Sequence, residues 1–194
     1  MIALLVLGVA FAVNGVWMYA LLAFVCLGVL VTFFLYNVFG NAEHGSKIFM
    51  GDTGSLTLGF ILSLLSMKYI LYIGPNASAV DGTPIVWVFS LLLVPCLDVC
   101  RVVLSRLKRK VNPFKPDKTH IHHKFLMMGF TPRRSLVFIQ LLSVFFIGLT
   151  VLLIRMGVLA NVILILDIVL WTAMNMWFSR IIRRKAYYVS DAKV

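Results

Sequence analysis

The chain has 194 residues, of which 61% are hydrophobic and only 13% are charged. A soluble domain is about 45–50% apolar and about 25% charged, so this composition excludes an ordinary soluble protein and indicates an integral membrane protein. The net charge of +11 comes from basic residues that flank apolar runs. It therefore favours anionic lipids and anionic substrates as partners, and it argues against nucleic acid.

Apolar runs predict an all-α fold, a polytopic membrane helix bundle of about six transmembrane helices that forms a single integral membrane domain over residues 1–194. The first run, residues 1–13, is only about half to two thirds of a span. Asn14-Gly15 is a turn signal after it. The longer runs cover residues 17–39, 53–73, 85–104, 135–154 and 162–178.

Three polar segments carry nearly all of the lysine and arginine that lies outside the spans: residues 40–52, residues 105–134 and the C-terminal tail. Alternation of the spans puts these segments on one side of the membrane, with Arg155 on the other. The positive-inside rule makes the basic side the cytoplasm. We therefore expect a multi-pass plasma-membrane protein with a cytoplasmic active-site loop and a cytoplasmic C-terminus.

Residues 47–55, Lys-Ile-Phe-Met-Gly-Asp-Thr-Gly-Ser, form a polar island where one span is about to begin. Helix capping is one explanation, because Asp52, Thr53 and Ser55 are all residue types that accept hydrogen bonds from free N–H groups at a helix start. The other explanation is a phosphate site, in which Asp52 holds Mg²⁺ and Lys47 adds positive charge. Capping alone would account for one such residue, so we favour the phosphate site.

Two further acids lie within the spans, at residues 98 and 167. Asp98 and Arg101 are three residues apart on one helical face, which suits either a structural ion pair or a substrate contact. Asp167 has no cation in register, so we expect it to face the bundle interior or to be neutral. An intramembrane aspartyl protease is a minor alternative, because Asp-Thr-Gly-Ser also occurs in aspartic proteases, which need two matching acids.

Three of the four histidines of the chain crowd into the last polar segment, at positions 120, 122 and 123, with Lys118 and Lys124 beside them. Imidazole is a common zinc ligand, but this spacing without cysteine is poor for a zinc cage. A solvated basic loop explains the lysines and leaves the histidines unexplained. Imidazole and ammonium donors together suit a pyrophosphate, which we favour.

The motifs together resemble those of a known family. They are residues 47–56 followed by Leu-Gly-Phe, then Pro95-x-x-Asp98-x-x-Arg101, then residues 112–126 with Gly129 beyond. This pattern looks like the polyprenyl-phosphate N-acetylhexosamine-1-phosphate transferases. Within them it is closer to the undecaprenyl-phosphate GlcNAc-1-phosphate transferases of bacterial surface polysaccharides than to the peptidoglycan phospho-MurNAc-pentapeptide transferases.

The resemblance implies an enzyme of the bacterial inner membrane that transfers a sugar 1-phosphate from a UDP-amino sugar to a polyprenyl phosphate and releases UMP. It implies that Mg²⁺, or else Mn²⁺, is needed, with Asp52 as the metal ligand. Together with the residue chemistry, it names Asp52, His122 and His123 as catalytic. The expected substrate-binding residues are Lys47, Thr53, Ser55, Asp117, Lys118, His120 and Lys124.

The resemblance covers only the C-terminal part of the family pattern. Two acidic motifs that such enzymes carry earlier, Asp-Asp and Asn-x-x-Asp-Gly-x-Asp-Gly-Leu, are absent from these 194 residues. We therefore expect the chain to be N-terminally truncated and inactive alone, or active only with a missing part. The alternative function is a non-catalytic membrane protein that keeps a nucleotide-sugar or lipid-phosphate binding surface. A homodimer is compatible with either.

Overall fold

A computed structural model of the chain describes residues 1–40, 46–72, 83–110, 112 and 120–191, with side chains described as far as residue 182. In this part of the chain the secondary structure is entirely helical. The helices are α1 (Ile2–Val13), α2 (Trp17–Phe39), α3 (Asp52–Tyr72), α4 (Thr83–Lys108), α5 (Ile121–Met127), α6 (Pro132–Arg155) and α7 (Ala160–Asp191).

Five of the described helices are long and apolar enough to cross a membrane: α2, α3, α4, α6 and the first 23 residues of α7. The shorter α1 has 12 residues, as expected from its short apolar run. The prediction of a polytopic all-α membrane bundle is thereby confirmed. The helices begin and end within a few residues of the apolar runs, except that α4 continues to Lys108 and α7 continues well beyond residue 178.

The chain divides into two compact units, residues 1–88 and 89–194. In the first unit, α1 and α2 form a hairpin. Its turn is the predicted Asn14-Gly15 pair, in which Gly15 has a φ of 74° and the Asn14 amide donates to the Ala10 carbonyl at 2.8 Å. Buried apolar residues from α1, α2 and α3 fill the interior of this unit; they are Leu4, Leu7, Phe11, Ala20, Ala23, Leu30 and Leu65.

The segment that leads into α3 is fastened to the end of α2. The Asn37 side-chain amide donates to the Ile48 carbonyl at 2.8 Å. Gly40 permits the close approach, because a Cβ there would clash with the Tyr36 carbonyl and would lie 2.7 Å from the Ser46 carbonyl oxygen. These contacts hold residues 46–48 against the end of α2.

The core of the second unit is formed by α4, α5, α6 and α7. Its buried residues are Leu93, Val94, Ile121, Phe125, Phe146 and Trp171. Phe125 of α5 lies 5.4 Å, ring centre to ring centre, from Phe178 of α7 and 5.9 Å from Phe138 of α6. The histidine segment is therefore part of a packed helix rather than an open loop, which the sequence pattern did not predict.

Candidate functional site

Asp98 is the centre of the polar cluster in the second unit. It lies on α4 and only 6% of its surface is exposed. The Arg101 guanidinium donates to its Oδ1 at 2.8 Å, and Nδ1 of His120 donates to its Oδ2 at 3.0 Å. The predicted Asp98–Arg101 ion pair is present, and the carboxylate also reaches the histidine segment.

The same carboxylate holds the start of α5. The backbone N–H of Ile121 donates to both Asp98 oxygens, at 3.2 and 3.1 Å. Ile121 is itself buried, so this N–H would otherwise lack an acceptor, at a cost of about 1–3 kcal/mol. Asp98 therefore acts as a positioning residue that fixes the backbone from which the next histidines extend.

The three histidine rings lie in a row. The ring centres of His120 and His122 are 5.9 Å apart with planes only 11° from parallel, and those of His122 and His123 are 4.1 Å apart. Burial lowers the pKa of His122, and the neighbouring imidazoles His123 and His120 lower it further, against an opposing effect of Asp98. At neutral pH His122 is therefore biased toward the neutral form, which offers one N–H donor.

Lys124 takes part in the cluster through α7. Its ammonium donates to Ser179 Oγ at 2.9 Å and also to the side-chain oxygen of Asn175. Both acceptors are neutral. Burial, followed by repulsion from Arg101 and opposed by attraction to Asp98, lowers the pKa of Lys124 from 10.5 to about 8. This cation therefore has no carboxylate partner among the described residues, and an anion would stabilise its charge.

The residues predicted around Asp52 lie in the first unit, at the beginning of α3. Asp52, Thr53 and Ser55 are all exposed, as is Lys47. The Ser55 hydroxyl donates to the Asp52 carbonyl at 2.8 Å, so it does not cap the helix. The Asp52 carboxylate accepts no hydrogen bond from any described residue. It is thus open to solvent and to a ligand.

A resident metal is tested by the ligands that the chain supplies. In the described ranges, no three His, Cys, Asp or Glu side chains lie together as metal ligands. The three imidazoles therefore do not form a zinc cage. Mg²⁺ commonly takes only one or two carboxylates and completes its shell with waters and substrate phosphates. The single exposed carboxylate of Asp52 fits only this mode of Mg²⁺ binding. Metal binding at Asp52 stays a prediction.

Two of the predicted substrate-binding residues, Asp117 and Lys118, lie outside the described residues. Sequence reasoning missed two others that contact the cluster, Asn175 and Ser179 on α7. A signal for them exists, since they are polar residues four apart in an otherwise apolar span, which places them on one helical face.

The other intramembrane acid forms a separate polar pair. Asp167 is fully buried, as expected, and the Thr150 hydroxyl of α6 donates to its Oδ2 at 2.9 Å. Its Oδ1 has no hydrogen-bond partner among the described residues. The protease alternative gains no support within this unit, because neither Asp98 nor Asp167 bonds to the other.

Comparison with known proteins agrees with the motifs. Residues 1–70 match the family model described as glycosyl transferase family 4. The chain is 29% identical over 140 residues to an undecaprenyl-phosphate alpha-N-acetylglucosaminyl 1-phosphate transferase of Yersinia pestis, a match that covers 69% of this chain and 36% of the relative. No solved structure matches the chain significantly.

Two further relatives have higher identity over shorter stretches. A decaprenyl-phosphate N-acetylglucosaminephosphotransferase of Mycolicibacterium smegmatis is 35% identical over 103 residues, covering 50% of this chain and 25% of the relative. A probable undecaprenyl-phosphate N-acetylglucosaminyl 1-phosphate transferase of Bacillus subtilis is 34% identical over 125 residues, covering 64% of this chain and 32% of the relative. The chain spans between a quarter and about a third of the length of these curated relatives. The family resemblance drawn from the motifs is confirmed: residues 1–70 are similar to glycosyl transferase family 4, and the relatives are named as undecaprenyl- or decaprenyl-phosphate transferases of N-acetylglucosamine phosphate.

Proposed function

We propose that the chain takes part in the transfer of an N-acetylhexosamine 1-phosphate from a UDP-sugar to a polyprenyl phosphate, with release of UMP. The observation that carries the proposal is the set of hydrogen bonds that Asp98 accepts from His120 and from the backbone N–H of Ile121, which we call the Asp98 clamp. This clamp fixes the backbone from which His122 and His123 extend. The names of the relatives supply the reaction class.

The reaction needs neutralisation of charge more than it needs acid–base chemistry. An oxygen of the lipid phosphate forms a bond to the β-phosphorus of the UDP-sugar. The bond from that phosphorus to the bridging oxygen breaks, and UMP leaves with the electron pair. Phosphoryl transfer of this kind depends on in-line positioning and on donors aimed at the phosphate oxygens.

The described residues suit that task. His122 and His123 offer N–H donors from a backbone that Asp98 holds in place. Lys124 offers a positive charge below about pH 8. We assign these three residues, with His120 as their anchor, to the phosphates of the nucleotide sugar.

We also assign Asp52 as the protein ligand of Mg²⁺ or Mn²⁺, with Lys47, Thr53 and Ser55 as phosphate contacts. When bound, the ion would supply positive charge to the phosphate oxygens. The support is the exposed carboxylate of Asp52 at the start of α3. We further infer from the distribution of basic residues that the side of the second unit carrying α5 faces the cytoplasm of a bacterial cell.

The test is UMP release from UDP-GlcNAc, a polyprenyl phosphate and Mg²⁺, measured with the purified 194-residue chain alone and together with a segment carrying the acidic motifs of the family pattern that these residues lack. We expect H122A/H123A to lower turnover by at least about a hundredfold, the usual effect of removing a donor to developing phosphate charge. R155A, at the exposed end of α6, is the control and should leave turnover unchanged.

UDP binding by the same variants separates the alternatives. Binding that needs His122 and His123, with no turnover under any condition, would support the non-catalytic binding protein instead. If H122A/H123A changed neither turnover nor UDP binding, the histidine row would have no part in either function.

A further inference from the structure

A cavity of about 810 Å³ lies within the second unit, between α4, α7 and Lys124 of α5. Five cationic side chains line it, and no carboxylate among the described residues does. The five are Arg101, Lys108, Arg109, Lys124 and Arg180. No histidine is part of the lining, so the cavity is not the histidine row, although Lys124 touches both. The positive charge of its lining favours an anionic ligand in this cavity.

Two hydrogen-bond donors in the cavity wall lack acceptors. Trp171 and Asn175 line the cavity and are only 3% and 4% exposed. The indole Nε1 of Trp171 and the amide Nδ2 of Asn175 have no hydrogen-bond partner among the described residues. Both atoms are buried beneath the cavity surface, so the five cations, and not these donors, favour an anionic ligand.

The remaining wall is apolar and continues onto the surface of the spans. Leu104, Ile168 and Met176 line the cavity, and each is an exposed apolar residue of a membrane-spanning helix. A ligand with a hydrocarbon chain can therefore lie against this wall without leaving the bilayer. A water-soluble phosphate would leave the apolar part of the wall uncovered.

We propose that this cavity binds an acidic phospholipid of the surrounding bilayer, with the phosphate among the five cations and one acyl chain along the α4–α7 wall. Lys108 lies in the last turn of α4, and Arg180 lies near the end of the spanning part of α7. Cations at the ends of spans lie at headgroup depth, where basic pockets between transmembrane helices bind anionic headgroups.

The site goes beyond the proposed transfer reaction and can be tested without it. The purified chain would be titrated with phosphatidylglycerol or phosphatidylcholine, with bound lipid counted by native mass spectrometry and the unfolding temperature followed in parallel. We expect retention of phosphatidylglycerol and a rise in unfolding temperature, and neither effect with phosphatidylcholine.

The K108Q/R180Q variant removes two exposed cations of the cavity and keeps those near the histidines. We expect it to bind phosphatidylglycerol at least about tenfold more weakly, since each basic residue near an anionic headgroup contributes a several-fold factor. The matched control is R134Q/R155Q, which loses the same charge at two exposed positions outside the cavity and should bind as the parent does.

Four results would overturn the proposal. One is equal retention of the two phospholipids, and a second is indifference to K108Q/R180Q. Another is displacement of phosphatidylglycerol by inorganic phosphate or UDP, which would make this an aqueous phosphate site. The last is displacement by a polyprenyl phosphate at equal concentration, which would assign the cavity to the acceptor of the transfer reaction.

Discussion

Replacing Asp98 with asparagine tests the clamp that holds the histidine segment. The substitution keeps the shape and one carbonyl oxygen, but it removes the negative charge that Arg101, His120 and the Ile121 N–H share. Hydrogen bonds to a charged group contribute about 1.5–3 kcal/mol each. A neutral amide retains only part of each, and it also leaves the Arg101 charge without its carboxylate.

We expect the main effect at the start of α5. If the Ile121 N–H loses about 1.5–3 kcal/mol of stabilisation, its amide hydrogen should exchange roughly tenfold to a hundredfold faster. Overall, D98N should destabilise the chain by about 2–4 kcal/mol, because the bonds from Arg101, His120 and the Ile121 N–H to residue 98 are weakened together. Site-resolved hydrogen exchange and detergent-induced unfolding would measure the two effects.

Asp167→Asn is the matched control for D98N. It makes the same chemical change at a buried acid of the same unit whose described partner is Thr150. It should leave the exchange of the Ile121 amide unchanged. If D98N also leaves that amide as protected as in the parent, then Asp98 does not hold α5 and the positioning role assigned to it is wrong.

Three further predictions concern single side chains. UDP binding should weaken as pH rises through about 8, where Lys124 loses its proton, and K124R should remove this alkaline loss because arginine stays charged; titration calorimetry from pH 7 to 9.5 would measure both. T150V should lower the free energy of unfolding by about 1–3 kcal/mol, because buried Asp167 loses its donor, whereas T150S should not. G40A should cost about 1–3 kcal/mol in the same assay, because its Cβ meets backbone oxygens, whereas G28A has open space and should cost nothing.

Much of the fold could be predicted from the sequence because hydropathy reports directly on membrane spans. The run at residues 17–39 coincides with α2, and the Asn14-Gly15 signal marks the turn before it. The exceptions have a physical reason. A polar or charged continuation such as residues 105–108 ends the apolar run but does not end α4, since a helix can extend past the hydrocarbon region into water.

The helical form of the histidine segment could not be predicted in this way. α5 has only seven residues, which is too short to be stable alone in water. It is stabilised from outside, by the Asp98 clamp and by burial of Ile121 and Phe125. Contacts of this kind join residues more than twenty apart in the chain, and no local pattern contains them.

At the candidate site, too, the sequence predicts which residues take part but does not predict which residues they contact. The motif identified His120, His122, His123 and Lys124 as a group, and the structure places His120 directly before α5 and the other three within it. The motif did not identify which helix Lys124 contacts. Lys124 reaches Asn175, fifty-one residues away, and only the packing of α5 against α7 determines that pairing.

The charge balance of the second unit links its two proposed sites. Asp98 is the acid of the described cluster, and its two oxygens are occupied by Arg101, by His120 and by the Ile121 N–H. It therefore has no oxygen left over for Lys124, whose described partners are neutral. The described residues around Lys124 thus favour an anionic ligand as the source of balancing negative charge. Phosphate, with one or two charges and several acceptor oxygens, meets that need at the histidine row and in the cavity alike.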